Sequence, residues 1–293
     1  MKQRRVLDER TKISIAVSLA VLIISSVLYL YEVVCLGNDT SFSGDCEMHF
    51  VDVGQGDCTL IITEDNAVLI DAGPNEYADR AERYVSSYTD TIDYFILTHP
   101  HEDHIGGADE ILRSVRVENV ILSDASSDTL AFTRMLDAIE ESGCNVIEAS
   151  VNDTFTAGDI KLTILSPMGN FTDYNDYSIV TRVDYGKTSA IITGDVEHNS
   201  ESLMVSRYGM FGLDADILQI AHHGSSTSNS EAFIDAVSPE FAVIQCGEGN
   251  TYGHPHRETL KKLNDRNISY YRTDEDGNVV FVSDGREVTL KGQ

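Results

Sequence analysis

The sequence predicts an α/β protein: an αββα sandwich, with two sheets packed face to face and helices outside, preceded by one N-terminal transmembrane helix. Three observations carry this expectation. From residue 46 onward, short apolar runs of strand length alternate with longer amphipathic runs, the rhythm of a layered α/β domain. Histidines and carboxylates recur at the ends of those strands, where open α/β sheets collect their functional groups. Near the N-terminus, ISIAVSLAVLIISSVLYLY (13–31) runs for 19 residues without a charge.

That uncharged run is long enough to cross roughly 30 Å of hydrocarbon as a helix. Lys2, Arg4, Arg5, Arg10 and Lys12 lie before or just at its start and the acidic bulk lies after it. The charge asymmetry places residues 1–12 in the cytoplasm and the rest of the chain outside. No A-x-A site follows, and the run exceeds a typical cleavable signal core, so residues 13–34 are expected to be a retained single-pass anchor. The alternative is a cleaved secretory signal and a secreted protein. Residues 35–45, containing LGNDTSFSGD, are polar and Gly/Ser-containing and read as a linker.

Residues 46–293 read as one domain. MHFVDV, CTLIIT and AVLIDA are strands joined by tight turns, and EYADRAERYVSSY is a helix. DYFILT (strand), GADEILRSV (helix), VENVIL (strand), a helix over 128–142 and CNVIEA (strand) complete the first half. The second half repeats the pattern with strands IKLTILS, SIVTRVDY and SAIITG, the helix EHNSESLMVSRYG and the strand ADILQIA. NSEAFIDAV (helix), FAVIQC (strand), RETLKKLNDRN (helix) and short strands around ISYYRT, GNVVFVS and EVTLKG end the chain.

The net charge is −27, and residues 1–40 hold five basic and four acidic side chains, so all of the excess is borne by the rest. Such a field is unfavourable for polyanions unless Lys and Arg cluster locally. Arg257, Lys261, Lys262 and Arg266 form one strip at helical spacing, read as a solvated face balanced by Glu258 and Asp265. The five cysteines show no CxxC or dense spacing, which excludes a disulfide scaffold and a thiolate metal site.

Seven of the nine histidines fall in three strand-end clusters: THPHEDHIGG (98–107), HHG (222–224) and YGHPH (252–256). Metal binding explains the spacing. His99 and His101, two apart in an extended loop, can face one ion, while Asp103 and His104 reach a second. Asp195, ending the strand AIITG, is the candidate bridge. Imidazole with carboxylate suits zinc, manganese or iron. Gly106 and Gly107 let the next helix start close to the site. One of His222 and His223 completes the second metal, and the other contacts substrate or orients a ligand. His254 is a substrate-binding or proton-donating group, or else a loop histidine packed on proline. His49, His198 and His256 read as structural or surface residues, and Asp52 and Asp57 as turn formers.

The HxHxDH run, followed in order by GD and HHG, resembles the metallo-β-lactamase fold superfamily. FVDVGQGDCTLI, VLIDAG, LTHPHEDHIGG, NDYSIV, AIITGDVE, LQIAHHGSSTS, YGHPHRETL and YRTDEDG together resemble the hydrolase domain of ComEC-family competence proteins over residues 46–290. In that family the domain accompanies a multi-span DNA channel, which one apolar segment replaces here. The resemblance implies two divalent ions, zinc or manganese, held by His99, His101, Asp103, His104, Asp195 and His223. It implies that Asp71 orients a histidine ligand, that Asp103, His222 and His254 are needed for turnover, and that Asn175, Ser178 and Ser225 contact substrate. Many superfamily members supply a third histidine to the first metal. This chain has none between 105 and 197, and TDYNDYSIV stands in that place with Asn175, Asp176 and Ser178. A weaker first site with a preference for harder ions is therefore expected.

The activity implied is hydrolysis of a phosphodiester, nucleic acid or another, by a hydroxide held between two metals. A small-molecule or cell-wall phosphoester, or a lactam, is the alternative. A catalytically silent binding module is the other class, which loss of Asp103 or Asp195 would have favoured; both are present.

Overall fold

The structure, a computed structural model, describes residues 44–292. The expected flank (1–12), anchor (13–34) and most of the linker (35–45) lie outside the described residues. Among the described residues no helix is long and apolar enough to cross a membrane.

The chain forms, in order, β1 (Cys46–Phe50), β2 (Thr59–Ile62), β3 (Ala67–Ile70), α1 (Ala78–Tyr88), β4 (Thr91–Leu97), α2 (Glu102–Ile105), α3 (Ala108–Ser114), β5 (Arg116–Leu122), α4 (Leu130–Ser142) and β6 (Asn145–Glu148). Then come β7 (Thr154–Ala157), β8 (Ile160–Ser166), β9 (Val180–Tyr185), β10 (Thr188–Ile192), α5 (His198–Leu213), β11 (Ile217–Gln219), α6 (Glu231–Val237) and β12 (Phe241–Ile244). The last elements are α7 (Arg257–Asp265), β13 (Ser269–Arg272), α8 (Thr273–Asp276), β14 (Val279–Ser283) and β15 (Val288–Leu290).

Two sheets result, ordered β15-β14-β1-β2-β3-β4-β5-β6 and β13-β12-β11-β10-β9-β8-β7. The run β3 to β6 is parallel, as is β10 to β13. Parallel strands need helical crossovers and are buried on both faces. That is why AVLI of β3 and TSAII of β10 are buried at every position. The two C-terminal strands return to the first sheet and pair beside β1, tying the halves together.

Three apolar clusters fill the layers. Leu69, Phe95 and Val120 pack with Ala81, Ile111 and Met135 of the helices on one side. Met48, Ile70 and Ile96 meet Ile164, Val183 and Ile192 between the sheets. Ile191, Leu218 and Ala242 pack with Met204, Phe233 and Leu263 on the other side. The expected αββα sandwich is therefore the observed one. Local signals set the helices: Thr129 and Ser230 accept backbone N–H bonds at the starts of α4 and α6, and Gly143 closes α4 in the left-handed region. Three elements are additional to those expected, the edge strand β7 and the single-turn helices α2 and α8.

Candidate metal centre

The carboxyl ends of the parallel strands β3, β4, β10, β11 and β12 meet at one end of the sandwich, and the clusters expected at strand ends converge there. Asp71 follows β3 with φ at 60°, a strained value for a residue with a side chain. Its Oδ1 accepts from Thr98 N at 2.8 Å, and its Oδ2 accepts from Thr98 Oγ1 and His104 Nδ1, both at 2.7 Å. With Nδ1 donating to Asp71, the Nε2 lone pair of His104 is left pointing into the site. Asp71, expected from the resemblance to orient a histidine ligand, is thus placed against His104.

The candidate ligand atoms form overlapping groups, each within 4.8 Å: two share Asp195, namely His99, His101 and Asp195, and Asp103, His104, Asp195 and His223, and a third is Asp57, Asp71 and His104. His99 Nε2 lies 3.8 Å from Asp195 Oδ2, and His104 Nε2 3.2 Å from Asp195 Oδ1. Every residue expected to hold metal is thus brought together. Of the adjacent pair, it is His223 that joins the second group, its Nε2 3.2 Å from Asp103 Oδ2. His222 stands at the edge with Nε2 3.7 Å from Asp195 Oδ2 and Nδ1 3.4 Å from Glu197 Oε1. Both histidines have φ near +54°, which turns the two rings to different sides; φ is 54° at His222 and 53° at His223.

A cation fits this arrangement. His104 Nε2 and Asp195 Oδ1 are sealed from solvent and neither has a hydrogen-bond partner, although they are 3.2 Å apart. Buried polar atoms are rarely left so, and an ion between them satisfies both. The electrostatics agree. Burial lowers proton affinity at His104 and His223, but Asp195 and the neighbouring carboxylates outweigh it and hold both imidazoles well above their ordinary range. The cluster draws positive charge strongly. At His99 burial and the neighbouring His104 push the other way, well below the ordinary range.

Asp57, read from sequence as a turn former, is a supporting carboxylate. It is buried, its Oδ1 lies 3.2 Å from His223 Nδ1, and its Oδ2 accepts from Gln219 Nε2. His223 Nδ1 is also 3.0 Å from Gln245 O. Gln219 ends β11 and Gln245 follows β12, and together they join this carboxylate to the backbone just after β1 and just before β2 through Val51 O and Cys58 O. The only sequence signal was a polar residue directly before the apolar run CTLII. Gly56 packs against the HxHxDH loop, and a Cβ there would lie 2.3 Å from Asp103 O.

Two expected substrate contacts require correction. Ser178 is fully buried: its Oγ accepts from Asp195 N at 3.1 Å and lies 3.2 Å from His99 Nδ1. Ser225 is also buried, bonded to Thr227, while its carbonyl accepts from Thr259 Oγ1. Both brace the site from beneath, because the turn before β9 and the HHG turn bring these hydroxyls to the backbone rather than to the cleft. Asp176, in the segment lacking the third histidine, accepts from Glu197 N and Ser200 N and caps α5.

Asn175 does face the cleft, with Oδ1 buried and unpartnered. The cleft encloses about 560 Å³ and is lined by Gln55, Tyr77, Glu102, Asn175, Tyr252 and His254 around the ligating residues. His254 is held by Asn250 Oδ1, is stacked on Tyr252, and is pushed down to about 4 by burial and the nearby His223 and His222. His49, His198 and His256 lie outside the cleft, bonded to Tyr84, Ser228 O and Ser226 N. Most of the basic strip is engaged: Lys261 pairs with Asp265, Arg266 with Asp235 and Glu231, and Lys262 donates to Asn229 O, while Arg257 makes no ion pair among the described residues.

The sequence profile described as "Metallo-beta-lactamase superfamily" matches residues 51–248. Among curated relatives, "ComE operon protein 3" of Bacillus subtilis is 29% identical over 82% of this chain and 33% of its own length. "Recombination protein 2" of Haemophilus influenzae is 32% identical over 73% of this chain and 26% of its own. The chain thus spans about a third or less of these relatives. Among solved structures, Igni18, a metallo hydrolase of Ignicoccus hospitalis, superposes with a TM-score of 0.54 at 15% identity, covering 81% of this chain and 98% of its own. At that identity the likeness establishes the fold alone.

Proposed function

This chain belongs to the metallo-beta-lactamase superfamily, and from that premise we propose that it is a metal-dependent phosphodiesterase tethered to the outer face of a membrane by residues 13–34. The observation that carries the metal-dependent reading is the sealed, unpartnered pair His104 Nε2 and Asp195 Oδ1 inside two ligand groups that share Asp195. His99 and His101 would hold one divalent ion, zinc or manganese, and Asp103, His104 and His223 the other, with Asp195 reaching both. When bound, two such ions supply Lewis acidity and charge neutralisation at the group attacked.

The chain's own residues do the rest. Asp71 and Asp57 keep protons on the Nδ1 atoms of His104 and His223, so that each presents Nε2 to the site. Ser178 holds Asp195 and His99 in register. Asn175 Oδ1 faces substrate or completes the first site, where no third histidine exists. His254, neutral at neutral pH, can accept a proton or hydrogen-bond the substrate, and His222, 3.4 Å from Glu197 Oε1, lines the same cleft as the candidate proton donor to a leaving group. Gln55, Tyr77 and Tyr252 narrow the cleft around a substrate and limit water.

The phosphodiester assignment rests on the likeness to competence and recombination proteins. A second reading is favoured by charge. Two of the four strip cations are ion-paired and Glu76 and Glu102 line the cleft, so a small phosphodiester or a cell-wall phosphoester suits the mouth better than a polynucleotide. The full chain, purified in detergent without chelator, would be given manganese or zinc with single-stranded DNA and, separately, bis-p-nitrophenyl phosphate. Cleavage of both, lost in Asp103→Ala, is the nuclease outcome; cleavage of the small ester alone moves the substrate to small or cell-wall diesters. Silence on both with metal bound would sink the phosphodiesterase reading and leave a lactam or a binding role.

A further inference from the structure

Phe211 is 96% exposed and Met210 59%, two large apolar side chains in succession on the surface. They follow a break in α5 at Gly209, whose φ of 56° and ψ of −172° turn the backbone out of the helix before Leu213 is buried again. Beside them, the Arg207 guanidinium lies 5.6 Å from the Tyr208 ring centroid and makes no ion pair among the described residues. An apolar tip flanked by a cation matches the chemistry of a phospholipid interface, where aromatic and Met side chains enter the acyl boundary and Arg meets phosphate.

Its place in the fold says which surface it faces. β10 and β11 run parallel and deliver Asp195 and His223 at their far ends, whereas residues 209–213 lead into the start of β11. Tyr185, the last residue of β9, donates to Gly44 O at 2.7 Å, and β9 is antiparallel to β10. The chain therefore enters the domain at the same end, opposite the metal centre. Thirteen positions separate Tyr31, the last residue of the uncharged run, from Gly44, a span of at most ~45 Å when extended.

We propose that Met210 and Phe211 insert into the interface of the bilayer that residues 13–34 cross, seating the domain with its metal cleft turned away from the membrane; this rests on the anchor reading above. The acidic domain is repelled by an anionic leaflet, so contact is confined to this small tip and suits a zwitterionic surface.

The chain has no tryptophan, so an introduced indole reports alone. The full chain carrying Phe211→Trp, Leu22→Trp or Leu130→Trp would be reconstituted in phosphatidylcholine vesicles brominated near the headgroup or near the bilayer centre. Leu130, 71% exposed, begins α4 at the cleft end and serves as the reference. The expected result is loss of Leu22→Trp emission with central bromine, loss and blue shift of Phe211→Trp emission with shallow bromine, and no change for Leu130→Trp. Quenching at residue 22 without quenching at 211 overturns the insertion and leaves the anchor standing. No quenching at residue 22 overturns the anchor and the insertion with it. A blue shift at 211 that grows with protein density and ignores bromine assigns the tip to a second copy of the chain and also overturns it.

Discussion

Asp57 and Asp71 do the same work for different imidazoles: each carboxylate faces an Nδ1 and leaves an Nε2 free to bind. Such partners fix ring orientation and tautomer, and their loss typically weakens metal affinity about 10–100-fold. Asp57→Asn should therefore bind metal more weakly by that factor, as read by competition with a chromophoric chelator, while the helical circular dichroism stays unchanged. An affinity equal to that of the parent would mean that Gln245 O alone orients His223. Asp71 was legible because it closes an apolar strand in a family-like VLIDAG. Asp57 was not, since its partners arrive from 162 and 166 residues away, at Gln219 and His223. Ser178 was misread for a related reason. Sequence shows a hydroxyl near the site but not which way it turns in the segment just before β9.

At the scale of elements, the segment around Asn175–Tyr177 shows how one stretch serves two ends. Asn175 faces the cleft, while Asp176 turns back to accept from Glu197 N and Ser200 N at the start of α5, both at 3.2 Å. Asp176→Ala should cost about 1 kcal/mol of stability, up to about 2, as for loss of a helix cap. Urea denaturation would measure this, and metal affinity should stay within twofold of the parent. A large fall in affinity without loss of stability would make Asp176 a ligand instead. The edge strand β7 (TFTA) and the single turn α2 (EDHI) escaped the sequence pattern because they are short and mostly polar, unlike the equally short apolar strands β2 and β3. Runs that short carry no periodicity, and here pairing with β8 and packing of Gly106 against Pro74 and Asn75 decide their form.

For the whole molecule, a bound ion is linked to folding. Metal that binds only the native state at about 100 times its dissociation constant adds about 2.7 kcal/mol. Chelation should accordingly lower the thermal midpoint, and Asp195→Asn should make the midpoint insensitive to chelator. A second linkage lies far from the cleft, at His49 on β1. Burial holds its imidazole down at about 4 despite the nearby Glu47. The unfolded chain takes up this proton near pH 6.5, the folded chain only near 4. Stability is thus lost as pH falls through that window, by about 3 kcal/mol. Urea titrations in chelator from pH 7 to 4 should show this decline in the parent, and His49→Gln should make it shallower, the lowered His254 still contributing in the same window. Parallel curves for the two proteins would place the acid sensitivity elsewhere.

By itself the sequence determined the layered α/β class, the order of its long elements and five of the six candidate metal ligands, His99, His101, Asp103, His104 and Asp195. These depend on short-range pattern: apolar periodicity, and chemically distinctive residues held at fixed spacing by a strand end or a tight turn. Only the tertiary structure decided which of His222 and His223 faces the ions, that Asp57 supports the site, that Ser178 and Ser225 brace it from beneath, and that Phe211 stands exposed opposite the cleft. Each of those depends on which side chains the two sheets bring together across long stretches of chain, and no local pattern encodes that meeting.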